Sequence, residues 1–279
     1  MTRRLSPVKT LFVTLQYALL VTAALVVMFP LLYALIVSLE SASESVSYPP
    51  RFIPSALYWQ SYLQALKTAP IFRFIMNSFI VSSLVTLGQL ITASLAAFAF
   101  SFLRFKGQKV LFFVFLSTMM IPWEVTIIPN YFTIKNLDWL DTFQGLTVPF
   151  MATAFGTFLL RQAFLTIPKE LADAATIDGC SRFRFFLTVV LPLSRPSLGT
   201  LAVYSFLTTY NQYLWPLLVT NSDKMRTVQI GLGMLQWDQA IAWNTMMAGV
   251  IMVLLPTLAL LILGQRQLIR GLTAGAVKG

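Results

Sequence analysis

From Leu11 to Leu39 the chain runs without a single charged residue, and from Phe74 to Phe102 it does so again. About 20 apolar residues carry a helix through the hydrocarbon core of a bilayer. In lipid such a run must be helical, because a helix satisfies each N–H and C=O within its own segment. The first run follows a basic head, Arg3, Arg4 and Lys9, as in a secretory signal. Signal-peptide cores span roughly 7–15 residues, so this longer run is expected to be a retained span. Further apolar runs at about 110–129, 145–165, 197–220 and 243–264 join those at 11–39 and 74–102 to make six. The fold class expected is an all-α membrane protein with six transmembrane helices, in a single transmembrane domain over residues 1–279.

Proline sets weak points in these runs. Pro30 is expected to kink the first and Pro256 to interrupt the sixth, whereas Pro122 frees a backbone carbonyl and opens the third towards a cavity. Two residues on stands Glu124, the one acid inside a span. A carboxylate in lipid must face water or a partner, so Glu124 suits either substrate contact or an interhelical hydrogen bond. In the fifth run, Tyr210-Asn211-Gln212-Tyr213-Leu214-Trp215-Pro216 sets amide donors and acceptors between aromatic rings. That is the equipment for holding sugar hydroxyls and stacking on sugar rings, and equally for an aromatic belt at the outer interface. Glu124, Tyr210, Asn211, Gln212 and Trp215 are thus the candidate pathway residues. The second run carries Asn77 and Gln89 among small residues such as Ser82, Gly88, Ala93 and Ala97, a surface for close helix–helix contact.

Composition excludes other classes. With 57% hydrophobic and 11% charged residues the chain is far too apolar for a soluble domain. One cysteine, Cys180, rules out an internal disulfide, and the absence of histidine removes the ordinary zinc, haem and His-based catalytic arrangements. No metal ligand set and no cofactor are expected. The net charge of +10 would suit nucleic acid if the basic residues formed a soluble face. They lie instead in short loops beside the spans. With the amino end inside, fourteen of the twenty Lys and Arg fall in inner segments, Arg3 to Lys9, Arg104 to Lys109, Arg161 to Arg195 and Arg266 to Lys278. This bias puts both termini in the cytosol. Glu40 to Pro70, Asn130 to Thr142 and Asn221 to Ala242 are then outer segments. No Gly-x-x-x-x-Gly-Lys-Ser/Thr is present to cradle phosphates, so the chain is not expected to hydrolyse ATP.

The polar interval Ile167 to Pro196 then falls on the inner side. Pro168 suits a first helical turn, Glu170 and Asp173 follow where the dipole favours carboxylates, and Asp178-Gly179 supplies a left-handed stop. Ser181 can cap a second helix whose Phe183, Phe186, Leu187 and Val190 form an apolar ridge ending at Leu191-Pro192. An exposed ridge of this kind needs a partner to cover it.

Asp173-Ala174-Ala175, three residues, Gly179, nine residues, Val189, one residue and Leu191-Pro192 together resemble the EAA loop of bacterial ABC-importer permeases. That family has Glu at the place of Asp173 and usually Ile at the place of Val189, changes that keep charge and shape. The resemblance extends over the chain and is closest to the carbohydrate-uptake branch. It implies a type I permease fold with a cytosolic two-helix coupling loop at 167–196 in the bacterial inner membrane. It implies four kinds of partner: a second permease subunit, two ATPase subunits that bind the ATP, an extracytoplasmic substrate-binding protein and membrane lipid, with no nucleic acid. The ATPase-coupling residues it implies are Asp173, Ala174, Ala175, Gly179, Phe183, Phe186, Leu191 and Pro192.

Tyr210 to Leu217 and the tail Gly271 to Gly279 look like those of sn-glycerol-3-phosphate permeases, a tail shared by many sugar permeases. A phosphate normally wants Arg, Lys or helix N-termini, and no base lies deep in these runs. Sugar and glycerol-3-phosphate both stay open. An ion-coupled carrier or channel without an ATPase is the rival class, with Glu124 as its only candidate coupling acid.

Overall fold

The computed structural model describes residues 7–237 and 242–273; Arg3, Arg4, and residues 274–279 of the tail lie outside them. The described residues are helical and irregular, with no strand among them. In chain order the helices are α1 (Pro7–Ser38), α2 (Gln60–Thr68), α3 (Ile71–Phe102), α4 (Gln108–Ser117), α5 (Trp123–Asn136), α6 (Phe143–Thr147) and α7 (Ala154–Leu165). They continue with α8 (Lys169–Ile177), α9 (Arg182–Phe185), a π-helical turn at Phe186–Val190, α10 (Leu191–Leu193), α11 (Arg195–Tyr210), α12 (Leu214–Val219), α13 (Val228–Trp237) and α14 (Trp243–Thr273). Three stretches cross a bilayer unbroken by length and composition: Leu11–Ser38, Ile71–Phe102 and Trp243–Gln265. Three bent pairs bring the number to as many as six.

The chain forms two compact units, Met1–Ala69 with Met234–Met252, and Pro70–Gly233 with Val253–Gly279. In the first, the segment after α1 is held by polar groups. Ser38 Oγ donates to Leu35 O (2.7 Å) and shares a hydrogen bond with Tyr62 Oη (2.8 Å). Asn244 Nδ2 donates to Glu40 O (2.9 Å) and Ser61 Oγ (3.1 Å). Glu44 staples the following turn, accepting from Ser41, from Ser55 and from Arg51. The Ser55 hydroxyl above all, then the Ser41 amide, hold its carboxyl down to about 2.

The second unit is built on α3, which packs along both α7 and α11. Its polar side chains reach the irregular backbone of its neighbours. Asn77 Nδ2 donates to Lys224 O (2.8 Å) and Arg226 O (2.9 Å), and Ser78 Oγ accepts from Val228 N (2.9 Å). Further along, Gln89 Nε2 donates to Phe150 O (2.8 Å) and Thr92 Oγ1 to Met151 O (2.7 Å). Gly88 lets that approach happen, since a Cβ there would stand 2.5 Å from Met151 Cγ. The small residues of the second run therefore serve packing, as their pattern suggests. Asp141 ties the 137–142 turn to the segment after α12, accepting from Asn221 N, Ser222 N and Ser222 Oγ. Burial opposes ionisation of Asp141, but the Ser222 and Asn221 donors outweigh it and lower its pKa.

Several expected spans differ in detail. The third breaks at Ile121–Pro122 with a bend of 97° between Gln108–Met120 and Trp123–Asn136, because a residue before proline leaves the helical region. The fourth bends by 45° between Phe143–Phe150 and Ala154–Leu165, where Thr153 caps a new helix by accepting from Gly156 N. The fifth is not one span over 197–220. Its bent pair is Arg182–Leu193 with Arg195–Tyr210, at 78°, and α12 is separate because Pro216 has no N–H for the carbonyl four residues back. Pro30 and Pro256 lie inside continuous helices, so Pro256 does not interrupt the sixth span. The segment read as an outer stretch from Asn221 contains α13, a helix hidden from the sequence by its paired glycines, Gly231 and Gly233.

Asn77→Ala removes the shared donor of the Lys224 and Arg226 carbonyls. It should lower unfolding stability in detergent by about 1–2 kcal/mol, while Ser83→Ala, half-buried and outside these contacts, should leave it nearly unchanged; thermal unfolding of the purified protein measures both.

Candidate functional site

The 167–196 loop has the two-helix form that its residues dictate. α8 begins after Pro168, whose φ of −55° and ψ of 135° leave the chain poised to turn into the helix. It ends in paired hydrogen bonds, Cys180 N to Ala175 O (2.8 Å) and Gly179 N to Thr176 O (3.1 Å), the Schellman arrangement. Gly179 has φ +70° and nothing within 4 Å of where a Cβ would stand, so its role is conformational alone. Ser181 caps the next helix, its Oγ accepting from Arg184 N (3.3 Å). The π turn at Phe186–Val190 follows just before Pro192. A wider turn eases the clash between the proline ring and the carbonyl of Thr188, four residues back.

That turn shifts which residues face outward. The sequence puts Phe183, Phe186, Leu187 and Val190 on one exposed ridge; the structure splits them. Phe186 and Val190, joined by Phe185, are buried against Phe98, Ala97, Leu160 and Phe164. The Phe186 and Phe98 rings are 5.1 Å apart, and Phe102 meets Phe185 edge-on at 5.4 Å. Phe183 stays 63% exposed, Leu187 46% and Ile177, which the sequence reading did not single out, 87%. Asp173 and Ala174 are exposed, Ala175, Leu191 and Pro192 half-buried, with Ala175 and Leu191 packed on the buried cluster. Behind α8 lies a cavity of about 410 Å³ whose lining includes Asp173, Arg104, Arg182, Phe102 and Phe185.

The pathway candidates divide as well. Trp215 is fully buried, its Nε1 donating to Gly145 O (3.0 Å) and its ring meeting Trp123 (5.7 Å) and Phe150 (5.9 Å). Tyr210 is buried and stacked on Phe206 at 5.9 Å. Neither offers a free ring face. Asn211 is exposed at the end of α11, donating to Leu207 O (2.8 Å) and accepting from Gln229 Nε2 (3.2 Å). Gln229 escaped the sequence reading because it lies in α13. Gln212 is half-buried and Glu124 exposed in the first turn of α5, where a carboxylate suits the dipole. The Trp123–Trp215 contact brings the start of α5 against α12, so the Pro122 break and the Asn211–Tyr213 break share one aromatic cluster.

Comparison with known proteins places these features. The sequence model of a family described as "Binding-protein-dependent transport system inner membrane component" matches residues 89–272. The sn-glycerol-3-phosphate transport system permease protein UgpE of Rhizobium meliloti is 37% identical over 265 residues, covering 92% of this chain and 94% of the relative. Its counterpart from Agrobacterium fabrum is 38% identical over 267 residues, covering 92% and 95%. Among solved structures, a chain of a bacterial ABC transporter involved in the import of the acidic polysaccharide alginate superposes with a TM-score of 0.83 at 22% identity, covering 95% of this chain and 99% of that one. A chain of the bacterial alginate ABC transporter in complex with its alginate pentasaccharide-bound periplasmic protein gives 0.65 at 15%, covering 90% and 92%. At those identities the likeness is one of fold.

A side chain at Gly179 meets strain of roughly 1 kcal/mol or more in the left-handed region, less for Asn than for a branched residue. Gly179→Val should therefore speed hydrogen exchange at the Cys180 amide relative to the native protein, with Gly179→Asn between the two. Equal exchange in all three would mean that the turn does not depend on glycine.

Proposed function

This chain belongs to the family of inner membrane components of binding-protein-dependent transport systems, and from that premise we propose that it forms half of the translocation pathway of an ATP-driven importer for a carbohydrate or polyol. A second permease subunit supplies the other half, two ATPase subunits supply the energy, and an extracytoplasmic binding protein delivers substrate. Supporting this division is a permease-family chain that holds no phosphate loop of its own yet presents Ile177, Phe183 and Leu187 outward on the 167–196 loop. That apolar surface is the observation that carries the reading. Both termini and the loop lie in the cytosol, as the fourteen-to-six division of Lys and Arg favours.

In this mechanism the loop docks in a cleft of the ATPase through Asp173, Ala174, Phe183 and Leu187. Gly179 sets the angle between the two helices, while Ala175, Phe186, Leu191 and Pro192 fasten the loop to its own chain. Movement of the ATPase would be passed through Phe185, Phe186 and Val190 to the ends of α3 and α7, and so to the spans. Glu124, Asn211 and Gln212 border the pathway, with Tyr210 and Trp215 shaping its wall from behind. The relatives named for sn-glycerol-3-phosphate make it the first substrate to test; the charge its phosphate needs would come from the partner permease, since Glu124 and the amides supply none.

Phe183→Ala combined with Leu187→Ala should weaken ATPase co-purification roughly tenfold or more while the subunit still inserts. Unchanged co-purification would overturn the coupling surface, and since the ATPase is cytosolic, the native result also tests the orientation. In vesicles containing the whole complex, labelled sn-glycerol-3-phosphate should accumulate with ATP in preference to maltose-type sugars, and Glu124→Gln with Asn211→Ala should reduce uptake without loss of the ATPase. Uptake of neither substrate would move the assignment to another carbohydrate.

A further inference from the structure

Arg161 lies one turn from the end of α7, half-buried, and is held by groups that do not neutralise it. Its Nε donates to Phe100 O (3.2 Å), and its guanidinium carbon lies 4.2 Å from the centre of the Phe112 ring. The same carbonyl accepts from Gln108 Nε2 (2.9 Å). Ion pairs among the described residues are Arg51–Glu44 and Arg226–Asp223, so no carboxylate lies within reach of Arg161 or of Lys109. A guanidinium drawn partly out of water without a counter-ion is costly, and more so beside hydrocarbon. Arg161 and Lys109 line one cavity of about 530 Å³ together with Gln108, Phe112, Phe113 and Leu165.

The rim of that cavity is apolar and exposed. Phe113 and Leu165 are open, and so are Val110, Leu111 and Val114 on α4. From Val110 to Leu116 α4 is apolar on every side in sequence. Although Phe112 turns inward, the wide open arc of Val110, Leu111, Phe113 and Val114 suits fluid hydrocarbon better than one partner helix. Two cations set against such a surface, at the end of membrane-spanning helices, match a molecule with an anionic head and an apolar tail. We propose that this cavity holds the headgroup phosphate of an anionic phospholipid between Arg161 and Lys109, with an acyl chain along Phe113 and Leu165. Leu165 is followed directly by the 167–196 loop, so bound lipid would stiffen the anchor from which that loop hangs.

The test uses the protein with whatever subunits co-purify, stripped of lipid in detergent and examined by native mass spectrometry. Dioleoylphosphatidylglycerol should be retained as one tightly held molecule, at least several-fold better than dioleoylphosphatidylcholine. Removing one cation should weaken retention roughly fivefold, in Lys109→Gln and Arg161→Gln alike, and inorganic phosphate should not displace the lipid. Equal retention of the two lipids, or retention unchanged in the double variant, as when a protein partner covers the cavity, would overturn the proposal. Displacement by inorganic phosphate would make it a free-anion site and overturn the lipid assignment. Lys109 is exposed and makes none of the local contacts, so Lys109→Gln carries the test if Arg161→Gln fails to fold. ATPase co-purification is read separately, so failure here leaves the coupling reading untouched.

Discussion

A membrane-spanning chain that breaks its helices must satisfy the freed backbone from within, because hydrocarbon offers no hydrogen bonds. This chain bends or stops at Pro122, Met151–Thr153, Ser194 and Asn211–Tyr213, and the rest of the second unit is arranged around answering for such irregular backbone. α3 supplies much of the answer. Its Asn77, Gln89 and Thr92 reach outward to carbonyls in segments that have left regular helix, and its Ser78 accepts from the amide that opens α13. Small residues between them let the helix come close enough to do so. Polar residues that would be a burden in a lipid-facing helix are here what allows its neighbours to be irregular.

The 167–196 loop depends on α3 in another way. A Schellman turn at Gly179 and a cap at Ser181 fix the two helices locally, but the second helix is anchored by Phe185, Phe186 and Val190 in the cluster that Phe98, Phe102, Leu160 and Phe164 form. Interlocked aromatic rings transmit displacement better than a flexible tether, since a packed core resists gradual deformation. The loop therefore combines an open apolar surface with a rigid connection to two helices. Those are the two properties that the proposed coupling to an ATPase requires.

The candidate pathway gathers at helix ends. Glu124 begins α5 and Asn211 ends α11, and the Trp123, Phe150 and Trp215 rings hold α5 and α12 together near those termini. Aromatic residues that a linear reading offers for sugar stacking or an interfacial belt are buried against other rings instead. Trp215 in particular spends its one donor on Gly145 O. The polar groups left exposed are a carboxylate and amides, a set able to hold hydroxyls and unable by itself to balance a phosphate.

The sequence by itself determined that the chain is a multi-span helical membrane protein, because uncharged runs such as Leu11 to Leu39 and Phe74 to Phe102 admit no other structure in lipid. It also determined the turn at Gly179, the cap at Ser181 and the break at Pro122, since each follows from the local chemistry of one or two residues. Other features were decided by tertiary structure. Whether Phe186 or Phe183 faces outward depends on a π turn and on how far α3 reaches, and neither is encoded in periodicity along the loop. Pro256 stays in the middle of one long helix, whereas Pro216 sits in the first turn of the short α12 and α11 stops before it, although the residue is the same. Tyr210 and Trp215 are packed away for a similar reason: their rings meet Phe206, Trp123 and Phe150, partners brought near only by the fold. Local signals are carried by short-range sterics and hydrogen bonds, whereas the direction a large side chain faces depends on residues far away in sequence, which is why only the folded chain could decide it.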